Sequence, residues 1–204
     1  VTTVVRDGPS GLLANGSIDL APLGHTSVML DTLYPATLDK RGTLEFYSAS
    51  GDPVDAIGLR VNGQAITTLP LLSSGSPAFS AGLPASIAHL AIMGGWSTSL
   101  TLVNSTNANA DPALNFFDPS GNPLPLTLSD AQTGAIFSQV PGLVQTLPSG
   151  SSLWIDSQQT PEALIVGSAT LTGDVSGFAI LGLHATGQEA VVPLEARSAS
   201  SYWL

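Results

Sequence analysis

Two stretches of this chain repeat each other about 125 residues apart, and the repeat is out of phase with the ends of the chain. Ile57-Gly58-Leu59-Arg60-Val61-Asn62-Gly63-Gln64 returns as Leu181-Gly182-Leu183-His184-Ala185-Thr186-Gly187-Gln188. A Pro-Leu pair closes each copy, Pro70-Leu71 and Pro193-Leu194. Upstream, Pro22-Leu23-Gly24-His25-Thr26 through Leu30-Asp31 answers Pro148-Ser149-Gly150-Ser151-Ser152 through Ile155-Asp156. A period of this length is too long for a solenoid and suits a duplicated domain. Gly95-Trp96-Ser97-Thr98-Ser99-Leu100-Thr101-Leu102-Val103-Asn104 has no counterpart before Val1. The expectation is that the chain begins inside a domain, so that the first unit lacks its opening strands.

The strand pattern is that of an all-β protein. Apolar and β-branched runs recur between Gly, Pro, Asn and Asp, as in a sandwich or barrel. In Ser99-Leu100-Thr101-Leu102-Val103 the leucines alternate with hydroxyls, the mark of a strand with one buried face. The first set of strands is expected at Val1–Arg6, Ser17–Leu20, Thr26–Asp31, Thr43–Ser48, Val54–Val61 and Ala65–Leu71. The second is expected at Ile87–Met93, Ser97–Asn104, Ala113–Asp118, Pro123–Leu128, Ala135–Val140, Ser152–Asp156, Ala163–Leu171, Gly177–His184 and Ala190–Leu194. Asp118-Pro119-Ser120-Gly121-Asn122-Pro123 reads as a turn, and Asp7-Gly8-Pro9-Ser10-Gly11 holds the matching place in the first copy. Helix is expected only as short pieces, at Asp31–Thr37, stopped near Pro35, and at Ser129–Phe137, broken by Gly134. The expected organisation is two tandem β-sandwich domains, at residues 1–72 and 87–204, with a Ser/Gly/Pro-rich linker at 73–86.

Composition narrows the function. The 204 residues are 43% hydrophobic, enough for a packed core, but only 10% charged. Net charge is −10, and the five cations, Arg6, Lys40, Arg41, Arg60 and Arg197, include one adjacent pair. Clustered cations are what nucleic acid and anionic membranes require, so neither is an expected partner. The absence of cysteine removes disulfides, thiolate metal sites and cysteine nucleophiles together. No apolar run reaches the roughly 18 residues of a membrane-spanning helix. With Val at position 1 and no signal-peptide pattern, the chain reads as a processed product or an excised piece.

Catalytic patterns are missing. His25, His89 and His184 lie near no Gly-x-Ser-x-Gly elbow, and His184 takes the repeat position of Arg60. No His-x-x-x-His or EF-hand pattern occurs. Asp52 and Asp55 share a loop, while Asp111, Asp118 and Asp130 are scattered, which fits turn-capping better than calcium binding. No catalytic residue, cofactor or metal is therefore assigned, and the protein is not expected to be an enzyme. Trp96, Trp154 and Trp203 are read as core or sheet-covering residues before sugar-stacking ones.

The second copy resembles a repeat of large exported bacterial surface proteins of unassigned function. The resemblance rests on Gly95–Asn104, Phe117-Asp118-Pro119-Ser120-Gly121-Asn122-Pro123-Leu124, Leu147-Pro148-Ser149-Gly150-Ser151, Gly177-Phe178-Ala179-Ile180 and Glu189–Glu195. Gly24-His25-Thr26-Ser27 and Arg41-Gly42-Thr43-Leu44-Glu45-Phe46 of the first copy resemble the closing half of the same unit. It implies immunoglobulin-like sandwiches in tandem, extracellular or on the cell surface, with no functional residues to transfer. The expected role is a structural subunit of a filament, stalk or surface layer, with adhesion as a further property. Units would be joined by strand complementation or domain docking between copies or adjacent repeats. Val1, Val4 and Val5 at one end, and Tyr202, Trp203 and Leu204 at the other, are the expected intersubunit contacts. The alternative is a carbohydrate- or protein-binding module of an exported adhesin or enzyme.

Overall fold

A computed structural model describes residues 1–73, 84–158, 162–196 and 201. Tyr202, Trp203, Leu204 and most of the expected linker lie outside the described residues. The first part contains β1 (Thr2–Asp7), β2 (Leu12–Ser17), a one-turn helix α1 (Leu30–Leu33), a 3-10 turn at Pro35–Thr37, β3 (Gly42–Tyr47), β4 (Gly58–Asn62) and β5 (Ala65–Leu69). Ten strands follow. The first five are β6 (Ala85–Ile92), β7 (Trp96–Val103), β8 (Ala113–Phe117), β9 (Leu126–Asp130) and β10 (Ile136–Val140). The others are β11 (Gly142–Val144), β12 (Ser152–Ser157), β13 (Ile165–Thr172), β14 (Ser176–Leu183) and β15 (Gln188–Pro193). The fold is all-β and its sheets are antiparallel, as the alternation predicts.

Residues 85–194 form a β-sandwich. One sheet has the order β10-β9-β12-β7-β14-β15, and the facing one β11-β8-β13-β6. Leu100 and Leu102 on β7, Leu128 on β9 and Ile155 on β12 meet Ile87 on β6, Phe116 on β8 and Leu171 on β13 in one core. The alternating leucines of Ser99–Val103 thus point inward. Thr98 also faces in, exchanging hydrogen bonds with the backbone of Ala91 across the sandwich. Asn104 ends β7, buried, and its amide donates to the carbonyls of Leu147 and Ala108 at 2.8 Å each.

The first part is built differently. Its strands form a three-stranded sheet, β2-β1-β3, and a separate hairpin, β4-β5. It contributes no residue to the common core, whose members run from Ile87 to Ala179. Its own buried groups are few: Val5, Tyr34, Thr3 and Thr67, with the Thr3 hydroxyl hydrogen-bonded to that of Tyr34.

Some expected elements differ. Thr26–Asp31 is not a strand: residues 25–29 are irregular and α1 begins at Leu30. Ser129–Phe137 is not helical. The Asp130 carboxylate accepts from the amides of Gln132 and Thr133, and Gly134 takes φ +75°, so the segment turns from β9 into β10. Strand β6 starts at Ala85, inside the stretch expected as linker. The short strand β11 and most of β2 were not anticipated, because Leu12-Leu13-Ala14-Asn15-Gly16-Ser17 lacks clean alternation.

A candidate interaction surface

The first part lies against the outer face of the six-stranded sheet. On β14, Ala179 points to the core, so Phe178 and Ile180 point outward, yet both are only 5% exposed. The first part is anchored at two places on that sheet, the interior strand β12 and the edge strand β15. On β12 the Ser152 amide donates to the Gly8 carbonyl at 2.8 Å. There Arg41 reaches Asp156 at 3.4 Å and stacks 5.2 Å from the centre of the Trp154 ring. Ser99 holds the other oxygen of Asp156 at 2.6 Å.

At the edge of the sheet the β4-β5 hairpin meets β15 through Glu189. This carboxylate is 6% exposed and accepts from Arg60 Nε at 3.1 Å, Asn62 Nδ2 at 2.6 Å and Thr67 Oγ1 at 3.2 Å. Burial alone would push its pKa up. The hydrogen bonds from Arg60, Asn62 and Thr67 and the Arg60 charge outweigh burial, and the carboxyl titrates below its ordinary value. A shallow groove of about 490 Å³ runs beside this node, lined by Ile57, Leu69, Pro70, Leu71, Val191 and Pro193 among others.

Arg60 and Thr67 oppose each other on the hairpin and both turn toward Glu189. The opposite face therefore points away from the sandwich, and it is apolar: Leu59, Val61 and Ile66 are all more than 60% exposed. The hairpin buries its polar side and presents its hydrophobic side. This is general in the first part, since fourteen of the seventeen large hydrophobic residues that stand exposed among the described residues fall between Leu12 and Leu71. A concentration of this kind marks an interaction surface rather than scattered surface leucines.

Four strand edges in this part have no hydrogen-bonded strand beside them among the described residues: the outer edges of β2, β3, β4 and β5. Strand β1, by contrast, is central. It pairs with β2 on one side and β3 on the other, Val5 is 3% exposed, and the Val1 amino group donates to the Ile18 carbonyl at 2.9 Å. Val1, Val4 and Val5 thus sit in a strand whose edges are both taken, and β2, β3, β4 and β5 carry the open edges. In the repeat, Gly58 and Leu59 at the start of β4 align with Gly182 and Leu183 at the end of β14, and Asn62 aligns with Thr186 in the turn beyond it.

His25, His89 and His184 are exposed on separate elements, and His184 Nε2 faces the Ser97 hydroxyl at 3.1 Å. Trp154 lies half-buried under Arg41, Trp96 is half-buried at the start of β7, and Trp203 is outside the described residues. Tyr47, 46% exposed, is the one aromatic residue among the described residues that stands exposed, so these form no aromatic row. Among the described residues no three His, Asp or Glu side chains gather as a metal site. The chain matches no known family model, no curated protein and no solved structure.

Proposed function

We propose that this protein is a structural unit of an extracellular bacterial assembly, such as a filament, stalk or surface layer. In this reading the chain holds two immunoglobulin-like units in tandem, residues 1–72 and 87–204. One observation carries the proposal: a packed sandwich is joined to a part with open strand edges and an outward apolar face. An edge of this kind templates an added strand, and natural proteins otherwise protect it. Donor and acceptor at different places on a molecule make a heterologous contact, which propagates unless it closes. The low charge, 10% of residues, and the resemblance to repeats of exported surface proteins support an extracellular setting.

Electron microscopy of the native protein over a range of concentrations tests this. Regular filaments or sheets are the expected result. Dispersed two-lobed particles at every concentration overturn it and favour the alternative, a protein-binding module using the apolar groove beside Val191 and Pro193. A carbohydrate-binding module draws no support from the described aromatic residues.

A further inference from the structure

The chain holds two Asn-Gly pairs, Asn15-Gly16 and Asn62-Gly63, and the fold treats them differently. Asn15 and Gly16 lie within β2, opposite Val4 and Thr3 of β1. The place of a Cβ on Gly16 is closed by the Tyr34 hydroxyl at 2.8 Å. Asn62 ends β4, and Gly63 opens the two-residue turn that leads to Ala65 on β5. Gly63 takes φ +59°, as the first central residue of a II′ turn does, and its Cβ position has nothing within 4 Å. Both residues are exposed. The Asn62 side chain nevertheless has a buried neighbour. Its Nδ2 donates to Oε1 of Glu189 at 2.6 Å, and that carboxylate is 6% exposed.

An asparagine that precedes glycine is especially prone to lose its side-chain amide, because the glycine nitrogen is unhindered by a side chain. Hydroxide removes the Gly63 amide proton, and the nitrogen attacks Cγ of Asn62. The new N–Cγ bond closes a five-membered imide. The Cγ–Nδ2 bond breaks, and the amide nitrogen leaves as ammonia with a proton from water. A second water then opens the imide at either carbonyl. Breaking the N–Cγ bond leaves an ordinary aspartate. Breaking the bond to the main-chain carbonyl leaves isoaspartate, with an extra methylene in the backbone. The sum is amide plus water giving acid plus ammonia, so no oxidant or reductant enters.

The attachment of the hairpin hangs on the same side chain. Strands β4 and β5 pair only with each other among the described residues, and a two-stranded hairpin is marginal in water by itself. Docking on β15 through Glu189 supplies the missing support. Turning the Asn62 amide into an acid removes a donor and puts a second carboxylate against Glu189, with Arg60 beside them as the counter-charge. We propose that Asn62-Gly63 is a self-modification site, a hydrolytic clock whose product unlatches the β4-β5 hairpin from β15. While the hairpin is docked, Glu189 holds the carboxamide, so the reaction runs through the lifted hairpin. Each modified hairpin is then hindered from docking again, by charge repulsion or by the lengthened backbone of isoaspartate. Asn15-Gly16, held in its ladder under Tyr34, is spared.

The test holds the whole protein in neutral buffer for days to weeks and samples it by mass spectrometry of proteolytic peptides, with fragmentation that distinguishes isoaspartate. Conversion at Asn62 is expected to run at least about tenfold faster than at Asn15. Glu189→Ala, which frees the carboxamide, is expected to speed Asn62 by a further factor of about ten. Equal rates at the two asparagines, or an Asn62 rate indifferent to Glu189→Ala, overturns the proposal. A second arm compares fresh Asn62→Asp and Asn62→Ala proteins by amide exchange in β5. Both variants remove the donor, and only the first adds a charge. Exchange of Ile66 and Thr67 is expected to be about tenfold faster in Asn62→Asp than in Asn62→Ala. Equal exchange in the two variants excludes the unlatching. Asn62 is exposed and outside the sandwich core, so exchange of β7 serves as the internal reference for a folded protein.

Discussion

Glu189 is a nearly buried carboxylate that gathers Arg60, Asn62 and Thr67 from a segment more than a hundred residues away in sequence. Hydrogen bonds to a charged group contribute about 1.5–3 kcal/mol, and a buried partner left alone costs as much. Because the folded pKa lies below the ordinary 4.5, the carboxylate stabilises hairpin docking fully above that value. The contribution is lost as pH falls through the depressed folded value. Glu189→Gln is expected to remove this acid-side dependence and to loosen the β4-β5 hairpin, read from amide exchange of Thr67 across a pH series. An unchanged pH profile in the variant rules the node out as the hairpin's anchor. At the turns, Ser10 takes a left-handed conformation that costs a side-chain-bearing residue about 1 kcal/mol, and Gly121 takes the same one freely. Ser10→Gly is therefore expected to stabilise by up to about 1 kcal/mol and Gly121→Ser to destabilise similarly, measured by denaturant midpoints. Equal effects of one sign from both changes contradict the equivalence of the turns.

At the scale of elements, pairing decides which strand-like sequences become strands. Thr26-Ser27-Val28-Met29-Leu30-Asp31 has the composition of β12, yet β12 lies between β7 and β9 and Thr26–Asp31 has no such neighbours among the described residues. Strand propensity is a preference for a pleated, partly buried surface, and it is realised only where that surface exists. Gly42 and Gly167 show the opposite constraint, since a Cβ at either would overlap a carbonyl of the neighbouring strand. Gly42→Ala is expected to pry β3 from β1 at a cost of about 1–3 kcal/mol. The readout is early loss of exchange protection in β1 with the 85–194 sandwich intact, and a simultaneous loss in both parts argues against local strain. The β strands of the second part were legible from alternation to within one or two residues for β7, β8, β12 and β14. Strand β11 was not, because Gly142-Leu143-Val144 is too short to show a period.

Across the whole molecule, burial is uneven. The buried core runs from Ile87 to Ala179, and the first part hangs on the sandwich by Gly8, Arg41 and Arg60. Parts with few buried apolar contacts open at lower free energy than the core. Native-state exchange is expected to show residues 1–72 opening well before β7, β12 and β14. A single cooperative opening of both parts is the contrary outcome. Ile155→Ala, at the centre of the sandwich, is expected to cost about 2–5 kcal/mol in global stability, whereas Leu59→Asp stays within about 0.5 kcal/mol in the isolated protein.

The all-β class, the two repeated hairpins and the Asp-centred turns were readable from the chain itself, because alternation and turn chemistry are local and carry a fixed period. Sequence also pointed to the odd phase of the repeat. Tertiary structure alone decided which edges are taken. Val1–Arg6 reads in sequence only as a strand and is the centre of a sheet, while β4 and β5 form a hairpin whose two outer edges are open among the described residues. Glu189, in turn, has no local signal, since its partners are brought to it by the docking of one β part on the outer face of another. Edge occupancy and buried charge pairing depend on neighbours distant in the chain, and no local period encodes them.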